Sequence, residues 1–497
     1  MNALSGRIDA APSEVWHEEV LAPQFEYELR HLLPHYLAVE KVLLLEYQRM
    51  GLLDDAEVDA VAARLHEITE QSITADPRAN TSDIAFAIER HVTDGLPQPP
   101  AAWHVDRSRN DLQATAQLMF AREQVLATVE ALLAFDDAAS GLAARNTELP
   151  MPGYTHLQAA QVITPGFWLA ALSAEAQRTL RRLVVSYAEL DACPLGAGAM
   201  AGQELPWDRE RMAQLLGFGI ANPHALVAVA SRGAALSAAA DLSGLGVALS
   251  RFATDLMMWG SSEYRFVDLP DALSGISSAM PQKKNFPILE RIRGRTAHLS
   301  SLHLDMAMGQ RSTPYTNMVE VSKEAGAHLA TLFDTARSVL RLFTLVLDGL
   351  RFDAEAMRAA CEREYLGGFT LANLLTLRAG VPWRQAQVLA GRYVVAALDR
   401  GVPPGKPDGA LLASIAGDAG HQVDEPDVLL AEAFTVSGAL HVKRSAGSTN
   451  PHAVAELLET QRREHDELAL WVQTRRMVLR QAADAVDAEL GLDGAHA

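Results

Sequence analysis

Leu242-Ser243-Gly244-Leu245-Gly246-Val247-Ala248-Leu249-Ser250-Arg251-Phe252-Ala253-Thr254-Asp255-Leu256-Met257-Met258-Trp259 carries large apolar side chains at 242, 245, 249, 252, 256 and 259. Steps of three and four in alternation put all six on one seam of a helix running over residues 234–259. Small residues beside the seam (Ala238, Ala239, Ala240, Gly244, Gly246) let neighbouring helices approach closely. Further apolar residues lie off it, so burial by more than one neighbour is expected, as in a helical oligomer. Asp241, Arg251 and Asp255 interrupt the run too often for a membrane span.

Downstream lies Gly275-Ile276-Ser277-Ser278-Ala279-Met280-Pro281-Gln282-Lys283-Lys284-Asn285, closed five residues later by Glu290. It has neither a strand period nor a helix period and reads as a loop, followed by a helical pattern over 288–302. Such a composition is ordinarily a solvated connection. Two adjacent hydroxyls, a lysine pair and an amide can also offer a base to a proton and cations to a developing negative charge.

Upstream, His104-Val105-Asp106-Arg107-Ser108-Arg109-Asn110-Asp111 reads as a polar helix start. Ser108 or Asn110 is a candidate N-cap there, and Asp111 is favourable in the first turn. A long helix with Leu118, Val125, Val129 and Leu132 follows, ending before Met151-Pro152-Gly153-Tyr154-Thr155-His156-Leu157-Gln158. The glycines of Pro194-Leu195-Gly196-Ala197-Gly198-Ala199-Met200-Ala201-Gly202 are not a phosphate loop, because no Lys-Ser/Thr pair follows them. Residues 14–75 carry helical stripes (Tyr36, Val39, Leu43, Tyr47; then Val58, Val61, Leu65, Ile68), and 80–92 reads as a short helix. Beyond 355 the patterns shorten, and 401–420, rich in Pro, Gly and Asp, reads as a surface excursion.

A chain of 497 residues with 49% apolar and 21% charged residues is expected to be a soluble globular protein of two or three domains. Its net charge of −19 argues against nucleic-acid binding and requires any anion site to concentrate its cations locally. Cys193 and Cys361 are too few for a disulfide framework or a four-thiolate metal site. Residues 1–11 lack a basic start followed by an apolar run, so a cytoplasmic protein is expected.

The 275–290 stretch resembles the signature loop of the aspartase/fumarase superfamily, and Met280-Pro281-Gln282-Lys283-Lys284-Asn285 has the form typical of its argininosuccinate lyase branch. Ile276 stands where that family usually has Gly. The Ser108-Arg109-Asn110-Asp111 run, the 151–158 octet and the 194–202 stretch match further family motifs in order, and Asp106 replaces a family Gly, adding negative charge beside the site. The resemblance implies an all-α protein in which residues 1–105, 106–355 and 356–497 are three helical domains. The central long-helix bundle would assemble into a homotetramer whose active sites are shared between subunits. It also implies reversible β-elimination of an N-substituted aspartate to fumarate and an amine, with no cofactor, no metal and no nucleic-acid or membrane partner.

Residue by residue, the resemblance makes Ser277 the general base, gives Lys283 and Asn285 the stabilisation of the dianionic intermediate, and gives proton delivery to His156 positioned by Glu290. Ser108, Arg109, Asn110, Thr155 and Ser278 fall on the dicarboxylate side, and Met280 is a further substrate-binding candidate. Arg109 suits a carboxylate through two parallel hydrogen bonds. Tyr315, Glu320 and Lys323 fall on the amine side, where Gln24, Glu28, Ala85, Ser231, Gly233 and Glu320 all depart from the family pattern. Argininosuccinate is therefore one substrate reading. Another aspartate adduct, as in the similar ethylenediaminedisuccinate lyase, is the second. A structural protein that has lost catalysis is the alternative of another class.

Overall fold

Ser108, Thr164 and Asn450 each turn a side-chain oxygen onto a backbone N–H two or three residues on and so start a long helix. Pro165, Pro287 and Pro451 hold the first helical position, where the missing N–H has no partner to lose. The computed structural model describes residues 7–8 and 10–492, so the reading of residues 1–11 falls largely outside the described residues. The long helices are α1 (Ala22–Arg49), α2 (Arg109–Ala144), α3 (Pro165–Leu190), α4 (Gly233–Trp259), α5 (Pro287–Gln310), α6 (Leu329–Gly349) and α7 (Pro451–Glu489). Sheet is confined to two-stranded ladders among the described residues, and the protein is all-α.

The bundle closes on itself. Helix α2 packs on α3, α3 on α4, α4 on α5, α5 on α6, and α6 back on α2, while α1 and α7 lie against the outside of α2. Leu242, Leu245, Leu249, Leu256 and Trp259 of the α4 seam are all buried inside this ring, and Phe252 is partly buried against it. A side chain at Gly246 would meet the Thr296 carbonyl at 2.9 Å, which explains the close approach of α4 and α5 there. By length and apolarity α4 could cross a bilayer, but those residues are core. Val247 on α4 and Leu304 and Met308 on α5 remain more than half exposed, which leaves apolar surface on this side of the ring.

Four stretches differ from the sequence reading or add to it. The short helix expected over 80–92 is Ile84–Asp94; its Asp83 cap accepts from the Ala85 and Phe86 N–H groups, and 77–82 is turn. Residues 151–163, of which 151–158 were quoted only as a motif after the long helix, form a hairpin. Half of 401–420 is the helix Gly409–Asp418, whose Leu411, Leu412 and Ala416 enter a second, smaller core over residues 371–434. The 39-residue α7 escaped the periodicity test because only Pro451, Val454, Gln461, Val472 and Val486 on it are buried, too sparse for a continuous stripe.

Candidate active site

Every residue from 105 to 111 is held by a named partner. The Tyr47 hydroxyl donates to the Val105 carbonyl (2.8 Å), and Arg107 is bidentate on buried Glu40. Ser108 caps α2 through the Asn110 N–H (3.2 Å), and Asn110 Nδ2 donates to the Ala199 carbonyl (3.0 Å). Arg109 Nη1 pairs with Asp83 at 2.7 Å, and its guanidinium lies 4.5 Å over the Phe86 ring while still half exposed. Asp111 stands in the first turn of α2, as its position suggested, and its Oδ1 accepts from the Leu112 N–H (3.1 Å). It is buried and accepts from the Gly196 (3.0 Å) and Gly198 (2.9 Å) N–H groups. Burial pushes its carboxyl up to about 6, against the opposing pull of those two donors.

Asp106, expected to add negative charge beside the site, has partners that the motif does not contain. Its backbone is left-handed (φ 57°), a conformation that explains a glycine at this place and that aspartate tolerates better than most residues. Its carboxylate is engaged within the chain: Oδ2 accepts from the Glu204 N–H, the Leu205 N–H and the Trp207 indole at 2.8–3.0 Å. Burial alone would raise its pKa, but these donors outweigh it and hold the carboxyl below the usual range. The carboxylate therefore stays ionised, with its Oδ2 held by three neutral N–H donors.

Of the residues expected on the amine side, Lys323 sits in a short π-helical turn (Glu320–Glu324) and bonds Glu28 at 2.5 Å. Glu28 is buried, and desolvation raises its pKa in spite of Lys323. Gln113 Nε2 also reaches it (3.3 Å). Tyr315 and Glu320 are exposed. Arg232 donates Nε to Gln117 and Nη1 to the Val229 and Ser231 carbonyls, and its buried Nη2 has no hydrogen-bond partner among the described residues. Gln24, Tyr27, Gln117, Arg232 and Lys323 line one side of a narrow, mainly apolar cavity.

The second group is the hairpin of β1 (Met151–Thr155) and β2 (Gln158–Ile163), in which Thr155 pairs with Gln158 across a two-residue turn. The turn residues His156 and Leu157 both have positive φ, 54° and 61°. Such turns favour Asn-Gly, and each left-handed non-glycine residue costs roughly 1–3 kcal/mol. The strain projects His156 into solvent at the tip. The base of the hairpin is anchored by Val162 against Cys361 and Leu440, and by Tyr154 edge-on to Tyr264.

In the third group, Gly275–Ile276 pairs with Lys284–Asn285 as a minimal antiparallel ladder that closes the signature loop. A Cβ at Gly275 would meet the Pro287 ring at 2.9 Å, so glycine is needed there, whereas Ile276 is exposed and tolerated. Ser277 Oγ accepts from the Met280 (3.0 Å) and Ala279 (3.4 Å) N–H groups. Lys284 Nζ is consumed by Asp268 and the Leu269 carbonyl, leaving the exposed Lys283 ammonium without an ion-pair partner among the described residues. Ser278 and Met280 are exposed on the loop, and Glu290 is exposed in the first turn of α5.

Among the described residues no hydrogen bond or ion pair joins these three groups. His156 and Glu290, expected as partners, are therefore not paired within one chain. Asp83, Glu40 and Asp111 were not anticipated as partners; Asp111 lay inside a quoted motif, but nothing local reveals which cation or N–H a carboxylate will face.

Residues 48–299 match the protein family described as Lyase. The argininosuccinate lyase of Methanothermobacter thermautotrophicus is 28% identical over 465 residues, 92% of this chain and 98% of that protein. That of Moorella thermoacetica is 34% identical over 356 residues, 71% of this chain and 76% of its own. A solved EDDS lyase in complex with formate shares the fold, with a TM-score of 0.85, 23% identity, and coverage of 98% of this chain and 97% of that one. The chain belongs to this lyase family, in the argininosuccinate lyase branch of the aspartase/fumarase superfamily. It is a fumarate-releasing carbon–nitrogen lyase.

Proposed function

We propose that the enzyme breaks the C–N bond of an N-substituted L-aspartate, in sites that three chains of a cytoplasmic homotetramer build together. The observation that carries this reading is the separation of the motif groups: one chain presents the α2 N-terminus, the His156 tip and the Ser277 loop at places that no bond connects. The uncovered apolar surface on α4 and α5 supports burial against other copies.

Ser277 takes the proton from the carbon beside the distal carboxylate. The two N–H groups already aimed at its Oγ would stabilise the alkoxide that makes a hydroxyl basic. Lys283, left free by the capture of Lys284, and Asn285 face the charge that builds on the carboxylate as the C–H bond breaks. The electron pair then forms the C=C bond and expels nitrogen, to which His156, positioned by Glu290 of another chain, delivers a proton. Ser108, Arg109, Asn110, Thr155 and Ser278 hold the succinyl part, Arg109 exchanging Asp83 for a substrate carboxylate, and Met280 is a further substrate contact. The scheme calls on no cofactor and no metal.

Tyr315, Glu320 and Lys323 face the amine. Argininosuccinate is the default substrate, carried by the likeness to the branch. A specific observation favours a second reading, an aspartate adduct of another amine: the Lys323 ammonium is already neutralised by Glu28, so less charge is left for an anionic group on the leaving amine. Ultraviolet detection of fumarate after incubation with argininosuccinate, ethylenediaminedisuccinate and related adducts tests both. Fumarate from none of them would sink the lyase chemistry, and a clear preference for argininosuccinate would remove the second reading.

A further inference from the structure

Two carboxylates five residues apart grip one segment. Asp111 takes the Gly196 and Gly198 N–H groups, and Asp106 takes the N–H groups of Glu204, Leu205 and the Trp207 indole. Between these clamps the Ala199 carbonyl receives Asn110 Nδ2, and the Asp106 carbonyl receives Gln203 Nε2 (2.7 Å). The segment is thus bolted to the chain on both sides of Ser108, Arg109 and Asn110, the residues assigned above to the substrate carboxylates. Arg49 and Glu46 hold its far end through the Pro206 carbonyl and the Asp208 N–H.

We propose that Asp106 is a positioning residue for dicarboxylate recognition: by tethering residues 203–207 it keeps the Ala199 carbonyl on Asn110 and fixes the start of α2 in its binding geometry. A glycine at this place would satisfy the left-handed backbone but supply no tether. Asp106 touches no substrate in this scheme and acts through Asn110 and its neighbours. Because the same contacts serve ground state and transition state, loss of the tether falls on KM and spares kcat. The proposal rests on the lyase reading for its kinetic consequence, but not for the tether.

The variants to compare are Asp106→Gly and Asp106→Asn in the full-length protein. Glycine suits φ 57°, so folding is preserved, and asparagine keeps an acceptor oxygen for the same three donors. For Asp106→Gly we expect faster amide exchange at Glu204, Leu205 and at residues 110–112. We also expect a KM for the aspartate adduct raised about tenfold, the scale of losing one charge-assisted hydrogen-bond set, with kcat nearly unchanged. Asp106→Asn should restore most of both. Faster exchange confined to 203–207, with 110–112 and KM at wild-type values, overturns the positioning role, as does an Asp106→Gly enzyme that loses kcat instead of KM. If wild type releases fumarate from no adduct, the lyase reading fails separately, and exchange at 110–112 still decides whether Asp106 positions the helix start.

Discussion

The N-terminus of α2 and the 275–285 loop, both assigned to one substrate in the proposed scheme, are held in opposite ways. Residues 105–111 are pinned one by one by partners from their own chain: Tyr47, the 203–207 segment, Glu40, Asp83, Ala199 and the 196–198 turn. The loop is closed by one short ladder, and Ser278, Met280 and Lys283 stand in solvent. In the proposed scheme, recognition is organised inside the chain, while the chemistry waits for surroundings that another copy would supply. Carboxylate binding profits from rigidity because its geometry is the same before and after reaction. A base and its charge-stabilising lysine profit from a loop that closes over substrate and excludes water.

The sharpest way to break this contrast is on the loop. Ser277→Ala should lower turnover by about a thousandfold or more while assembly and substrate affinity persist, because the hydroxyl acts only in proton transfer. If that variant stays active and Ser278→Ala is the dead one, the base has been assigned to the wrong serine. On the bolted side, Arg109→Ala should act on KM, raising it about ten- to a hundredfold with a smaller change in kcat, as expected for a lost carboxylate contact. Initial rates over a range of adduct concentrations separate the two patterns.

Sharing of sites makes a smaller, quantitative demand. Ser277→Ala and His156→Ala chains, each inactive alone, should recover about a quarter of wild-type activity per site when mixed at random in equal amounts, since that share of sites receives neither lesion. Verified hybrids that stay inactive would return each site to one chain.

The smallest effect concerns stability. Burial lifts the Asp111 carboxyl from its ordinary 3.8 to about 6, so the native state binds its proton more tightly than the unfolded state does. The stability this contributes is complete below the unfolded value and is lost as pH rises through about 6, a change on the order of 3 kcal/mol. Denaturant unfolding of Asp111→Asn should therefore lack a decline that wild type shows between about pH 4 and pH 6. An identical slope in the two proteins would remove Asp111 as its source.

Much of the α2 start was legible because capping is local: Ser108 reaches an N–H two residues away, and a sequence motif contains both partners. The partners of Asp106 were not legible for the opposite reason, since its donors lie 98 to 101 residues further along the chain. The His156 turn was seen as a motif but not as a strained hairpin tip, because His-Leu lacks the Asn-Gly pattern that announces such turns.

The amino-acid sequence by itself determined the helical seam of α4, the order of the motif groups and the residue types available for proton abstraction, since each rests on spacing along a few turns of chain. The tertiary structure alone decided that the bundle closes through α6 onto α2, that Lys284 is spent on Asp268 while Lys283 is not, and that Asp106 and Asp111 clamp one segment. The physical reason is range. Periodicity and caps act within about one or two helical turns, whereas the partner of a buried charge is chosen by whichever distant donor the packed core brings within hydrogen-bond reach.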